Sequence, residues 1–197
     1  MRDVHVARTG VANLASVLAA LARAGAAPVL TDDPEQVRAA DRVLLPGVGA
    51  FGAGAARLRD TGLGEALAER VRAGRPTMGI CLGMQLFFDA SAEAPGVPGL
   101  GVIAGEVERF SGEGLRVPQL GWNEIVPGDG CRLLRRGFVY FANSYRARAA
   151  PGWAVATAHH GGPFLAGCER GDVLLCQFHP ELSGAFGAAL LERWIAC

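Results

Sequence analysis

The chain has 197 residues, half of them hydrophobic and 19% charged, which is enough apolar material for one sizeable core. Nineteen basic residues, all arginine, balance nineteen acidic ones, so the basic excess expected of a nucleic-acid or anionic-membrane binder is missing. Apolar runs are broken by Arg, Gly or Pro well before the roughly 18–20 residues needed to cross a bilayer, and a strand-like run starts at Val4 without a secretory signal, so a cytoplasmic protein is expected.

Residues 2–8 predict a strand, and Thr9-Gly10-Val11-Ala12-Asn13 a turn in which Asn13 caps the next helix. Leu14, Val17, Leu18, Leu21 and Ala22 fall at helical spacing until Gly25 stops the run. A short strand at 28–30 follows, then Thr31-Asp32-Asp33-Pro34, whose aspartate cap and early proline open a short helix, then a buried strand at 42–45. Strand, helix, strand, helix, strand begins a doubly wound parallel sheet, with functional groups at the carboxyl ends of its strands. Pro46-Gly47-Val48-Gly49-Ala50-Phe51-Gly52 lies at one such end. It lacks GxxxxGK[ST], and although Gly47, Gly49 and Gly52 fall at GxGxxG spacing, the fingerprint's acidic partner at the end of a following strand is missing, so backbone N–H groups aimed at an oxyanion fit it better than a nucleotide phosphate.

A helical stretch at 58–71 leads to a strand ending at Cys81 and a helix to about residue 90. Beyond Pro95 helical periodicity is lost, and short runs at 102–110, 123–126, 138–141, 154–158, 164–168 and 173–178 predict a meander of mixed or antiparallel strands added to the first sheet. A helix at 183–196, with apolar Phe186, Leu190, Leu191 and Trp194, closes the chain. The fold class expected is α/β: a doubly wound, mostly parallel sheet flanked by helices, with mixed and antiparallel strands in the second half. Residues 1–197 are read as one domain.

Two stretches carry chemistry. In Met78-Gly79-Ile80-Cys81-Leu82-Gly83-Met84-Gln85 a β-prone lead-in meets a cysteine between small residues and then an apolar helical pattern, which reads as strand, tight turn, helix. Gly79 and Gly83 give the turn room, and the helix N-terminus favours a thiolate, so Cys81 is the candidate nucleophile. Far along the chain, Gln177-Phe178-His179-Pro180-Glu181 places an imidazole and a carboxylate two residues apart, on one side of an extended segment. A thiol needs a base, and the base needs a carboxylate to fix its tautomer, so Cys81, His179 and Glu181 make a triad. The five cysteines (81, 131, 168, 176, 197) show no CxxC spacing. His159-His160 matches no zinc-ligand spacing and reads as a polar loop, so neither metal nor cofactor is expected. Trp122, Trp153 and Trp194 read as core or interface aromatics.

PGVGAFG at 46–52, GICLGMQLFF at 79–88, VPQLGWN at 117–123, YFANSYR at 140–146 and QFHPELSG at 177–184 resemble the class I, triad-type glutamine amidotransferases. Within these, the motifs are most similar to the glutaminase subunits of imidazole glycerol phosphate synthases. The resemblance implies that Cys81 attacks the glutamine carboxamide, His179 moves protons and Glu181 orients it. It implies an oxyanion site from the backbone of Leu82 and of Gly47, Val48 and Gly49, and a glutamine cradle of Gln85, Ser144 and Tyr145, with Glu93 against the ammonium. It also implies a heterodimer with a (βα)8-barrel cyclase subunit that receives the ammonia, with Asn13, Gln119, Trp122, Asn143 and Leu182 toward the interface. Gln119 and Asn143 stand where many relatives carry histidine, and Leu182 where a basic residue is usual. Three rival readings remain at this stage: a glutaminase feeding another synthase, a cysteine hydrolase acting alone, and a partner-binding scaffold without catalysis.

Overall fold

A computed structural model describes residues 1–8 and 14–197, and the predicted turn with Asn13 lies outside the described residues. In chain order the first half contains β1 (Arg2–Ala7), α1 (Leu14–Arg23), β2 (Ala26–Thr31), α2 (Pro34–Ala39), β3 (Val43–Gly47), α3 (Phe51–Asp60), α4 (Leu63–Arg72), β4 (Thr77–Cys81) and α5 (Leu82–Gln85). The second half contains β5 (Phe88–Ser91), β6 (Ile103–Arg109), β7 (Gln119–Pro127), β8 (Gly137–Asn143), β9 (Tyr145–Arg146), β10 (Ala154–His159), β11 (Pro163–Arg170), β12 (Val173–Cys176) and α6 (Gly184–Ala196), with a 3-10 turn at Pro180–Leu182.

The main sheet runs β2-β1-β3-β4-β12-β11-β10-β7-β8. The strands from β2 to β12 in this order are mutually parallel. Those from β12 to β8 are antiparallel. β12, last of the strands in sequence, thus inserts beside β4 and carries the end of the chain to the centre of the molecule. A smaller sheet, β5-β6-β9, stands apart, so the strand predicted at 102–110 does not join the main sheet.

Strands buried on both faces read as continuous apolar runs, and β3 and β12 show why. Leu44, Leu174 and Cys176 point into a core under α1 and α6, with Val17, Leu21, Leu190 and Trp194. Their neighbours Val43, Leu45, Val173 and Leu175 point into a second core under α2, α3 and α4, with Val37, Phe51, Leu58 and Leu67. Period-2 side-chain alternation therefore builds two cores from one apolar run.

Two predicted helices are corrected. The stretch read as one helix at 58–71 is the end of α3 and the whole of α4, broken at Thr61-Gly62, where Gly62 takes φ +73°. The helix after Cys81 was expected to reach residue 90, but it ends at Gln85 and the chain turns into β5. Here tertiary pairing of β5 with β6 overrides a helical apolar pattern. The aspartate cap of α2 is as predicted: Asp33 accepts the N–H of Glu35 at 2.9 Å.

Candidate active site

The parallel strands β3, β4 and β12 end side by side, with Gly47 in register with Cys81 and Cys176 in register with Ile80. The glycine loop, the cysteine turn and the His179 segment therefore emerge together at the carboxyl ends of these central strands. Cys81 takes φ +54° and ψ −113°, and it is the only non-glycine residue with positive φ among the described residues. Close packing beneath holds this elbow: a Cβ on Gly83 would collide with the Leu45 carbonyl oxygen, and one on Gly47 would lie 2.6 Å from the Gly83 nitrogen. The glycines beside the cysteine thus serve as the sequence suggests.

A cavity of about 380 Å³ opens over Cys81, lined by Val48, Gly49, Leu82, Gln85, Glu93, Ala142, Asn143, Ser144, Tyr145, His179, Glu181 and Leu182. His179 Nδ1 lies 2.8 Å from Glu181 Oε1, and both side chains are almost wholly buried. Burial disfavours the imidazolium, but hydrogen bonding to Cys81 and Glu181, together with their charges, outweighs it and pushes His179 up to about 10. The 3-10 turn that holds Glu181 is fixed by Ser183, whose hydroxyl donates to the His179 carbonyl at 2.6 Å and accepts the Tyr140 N–H at 3.0 Å.

Glu93 reaches the site from the loop after β5, where its carboxylate accepts the Phe51 N–H at 2.8 Å. α3 has no side-chain cap of its own, so this distant carboxylate serves as one, and it ties the small sheet to the helix that follows the glycine loop. Gly49 takes φ +99°, which a residue with a side chain would adopt only under strain. Opposite, Gln85 Nε2 donates to the Tyr145 carbonyl at 3.2 Å and Asn143 Nδ2 donates to the same oxygen at 2.9 Å, holding the Ser144-Tyr145 wall in place.

The sequence pointed to most of this lining. Gly47 packs beneath the cavity, and Gln119 is buried as the cross-strand partner of Asn143. Trp122 and Leu182 lie outward, 57% and 41% exposed. Trp153 and Trp194 are core residues. One polar contact escaped the sequence reading: Gln177, with no exposed surface, places its Nε2 at 3.7 Å from Cys81 Sγ. The signal available was an amide closing the wholly apolar run 173–176.

The model of the family "Glutamine amidotransferase class-I" matches residues 11–196. The chain belongs to this family. It is 42% identical over 185 residues to imidazole glycerol phosphate synthase subunit HisH of Carboxydothermus hydrogenoformans, covering 92% of each chain. It is 39% identical over 197 residues to the protein of the same name from Escherichia coli K12, covering 98% of each. To the Arabidopsis thaliana imidazole glycerol phosphate synthase hisHF it is 40% identical, over 94% of this chain and 33% of the plant protein. A solved structure titled as a glutamine amidotransferase superposes with a TM-score of 0.76 at 22% identity, covering 98% of this chain and 99% of the other. PurLQS of Thermotoga maritima gives 0.76 at 18% identity, covering 99% and 97%. These two likenesses bear on the fold alone. As a class-I amidotransferase the chain has the expected α/β architecture, and no described helix is long and apolar enough to cross a membrane.

Proposed function

We propose that this chain is the glutaminase subunit of an imidazole glycerol phosphate synthase, which releases ammonia from L-glutamine for a cyclase subunit in histidine biosynthesis. The observation that carries the reading is the strained Cys81 elbow in one cavity with the paired His179 and Glu181. Relatives at about 40% identity over nearly the whole chain bear the name of that subunit.

In this mechanism the cavity holds glutamine against Gln85, Ser144 and Tyr145, with Glu93 toward its ammonium. The sulfur of Cys81, its proton passed to His179, attacks the carboxamide carbon. Backbone N–H groups of Leu82 and of the Gly47-Val48-Gly49 loop stabilise the oxyanion of the tetrahedral intermediate. The imidazolium protonates the amide nitrogen, the C–N bond breaks, and ammonia leaves a γ-glutamyl thioester. His179 then takes a proton from water, the hydroxide attacks the thioester, and the C–S bond breaks to give glutamate and the restored cysteine. Glu181 keeps Nδ1 protonated, so that Nε2 faces the reaction.

The partner in this reading is a cyclase of (βα)8-barrel fold. In the plant relative the matching segment is a third of a longer chain, consistent with a function shared between two parts. The docking face would include Leu182 and Trp122, both exposed and close to each other through Gly184, where a Cβ would lie 3.8 Å from the Trp122 ring. The whole chain acts as one domain in this scheme. All five cysteines are free, as suits a reducing cytoplasm. Glutaminase assays with and without the cyclase and its nucleotide ligand test the proposal. Turnover should be slight for the chain alone and strong in the complex, and full turnover without a partner would favour a hydrolase acting alone.

A further inference from the structure

We infer that Gln177 is a catalytic residue, donating its amide N–H to the Cys81 sulfur and stabilising the negative charge there before attack and when the thioester is cleaved. The inference rests on the glutaminase reading above.

Three contacts set the geometry. Gln177 Nε2 lies 3.7 Å from Cys81 Sγ, Gln177 Oε1 accepts from Gln85 Nε2 at 2.8 Å, and Gln85 Nε2 also donates to the Tyr145 carbonyl at 3.2 Å. The carbonyl settles the direction of the chain, because a carbonyl can only accept. Gln85 must therefore turn its nitrogen to Tyr145, its second hydrogen must go to an oxygen of Gln177, and the nitrogen of Gln177 is left facing the sulfur. Flipping either amide would set two acceptors or two donors against each other. The backbone adds a further constraint, since the Gln177 N–H is bonded to the Ala166 carbonyl at 2.9 Å and fixes where the side chain departs.

Burial gives the second argument. A glutamine with no exposed surface is costly unless its amide is bonded, and an apolar residue would extend the run Val173-Leu174-Leu175-Cys176 more favourably for stability. The amide therefore has work at the sulfur. α5, a single turn, gives the sulfur only a weak macrodipole, so a specific donor has a task to do. When the C–S bond of the thioester breaks, the electron pair goes to sulfur, and the Gln177 N–H meets it before His179 returns the proton. Because Gln85 and Tyr145 also line the cavity, the same chain of bonds ties the glutamine-binding wall to the nucleophile.

The experiment measures alkylation of Cys81 by iodoacetamide against pH in the full chain, followed on the Cys81 peptide by mass spectrometry. Gln177→Met removes the donor at nearly constant volume, and Gln177→Asn keeps a buried amide but withdraws it from the sulfur. Loss of a charge-assisted hydrogen bond should slow alkylation about tenfold near neutral pH and displace the profile to alkaline by about one unit, with Cys131 unaffected as an internal control. Melting curves identify which variant is folded, and the Asn variant decides if the Met variant is not. As a further variant, Gln85→Met removes the group that orients the Gln177 amide and should shift the profile the same way by less. Alkylation within twofold of wild type in a folded Gln177 variant overturns the inference, as does an unchanged profile in Gln85→Met if neither Gln177 variant folds. Alkylation needs no glutamine, so a wild-type complex that failed to hydrolyse glutamine would sink the functional reading and leave this comparison intact.

Discussion

Cys81 is held at a backbone conformation that costs on the order of 1–3 kcal/mol in a residue with a side chain, and the close contacts of Gly47 and Gly83 are what enforce it. Strain of that size persists where the geometry is used, here to lift a sulfur into the cavity. Cys81→Ser should lower glutamine turnover in the complex by about three orders of magnitude or more, since a serine hydroxyl is far harder to deprotonate, while calorimetry still detects glutamine binding. Glu181→Gln should reduce kcat by about 10²-fold or more with little change in KM, because in the proposed mechanism the carboxylate orients and steadies the imidazolium rather than holding substrate. A pure KM effect would make Glu181 a binding residue. The raised His179 also links stability to pH. Its folded value, about 10, lies above the ordinary value near 6.5, so its contribution is complete below about pH 6.5, declines as pH rises and is lost above about 10. Melting temperature should therefore fall across that window more steeply in the wild type than in His179→Gln, and equal slopes would refute the linkage.

At the scale of elements, two arginines do for α2 what no local residue does. The Arg70 guanidinium, 1% exposed, donates to the carbonyls of Val37 at 3.0 Å, Ala40 at 2.6 Å and Pro76 at 2.8 Å. Arg75 donates to the carbonyls of Arg38 and Ala40 alongside it. Together they satisfy the last carbonyls of α2 and join it to the strand entering the elbow. Burial, reinforced by the nearby Arg75 charge, lowers Arg70 to about 10, still charged at neutral pH. Arg70→Met should destabilise the chain by about 2–4 kcal/mol in a denaturant titration, because several buried carbonyls lose their donor at once. A loss below about 0.5 kcal/mol would mean that water replaces the guanidinium there. Glu169 plays a similar part in the second half, its carboxylate accepting the N–H groups of Leu133 at 2.9 Å and Leu134 at 3.0 Å. Such long-range pins, rather than propensity, hold the irregular segments.

Over the whole molecule, the cavity mouth is bordered by exposed apolar residues, among them Val48 and Leu182. A rim ion pair contributes about 0–1 kcal/mol, whereas fully burying a leucine contributes roughly 1.5–3 kcal/mol, so an apolar residue at position 182 need not weaken docking. Leu182→Ala should weaken association with the proposed cyclase partner by about 1 kcal/mol, nearly independent of salt, and affect glutamine binding less than it affects docking. Equal affinity for the variant and the wild type at low and high ionic strength would place Leu182 outside the interface core.

The local signals were sufficient for the parallel half of the sheet and the Asp33 cap, because each rests on periodicity or capping chemistry, and they singled out Cys81, His179 and Glu181, which line one cavity. The cysteine elbow was legible for the same reason: small residues on both sides of a nucleophile admit few backbone solutions. The length of α5, the placing of β6 in a second sheet and the insertion of β12 beside β4 were not legible, since each is decided by pairing with segments distant in sequence. The same holds for Gln177, whose partners Gln85 and Cys81 are 92 and 96 residues away. Sequence alone singled out Cys81, His179 and Glu181, the groups to which the chemistry is assigned in the proposal. Only the tertiary structure decided which buried polar groups meet them, because a hydrogen bond depends on distance and direction that no local pattern encodes.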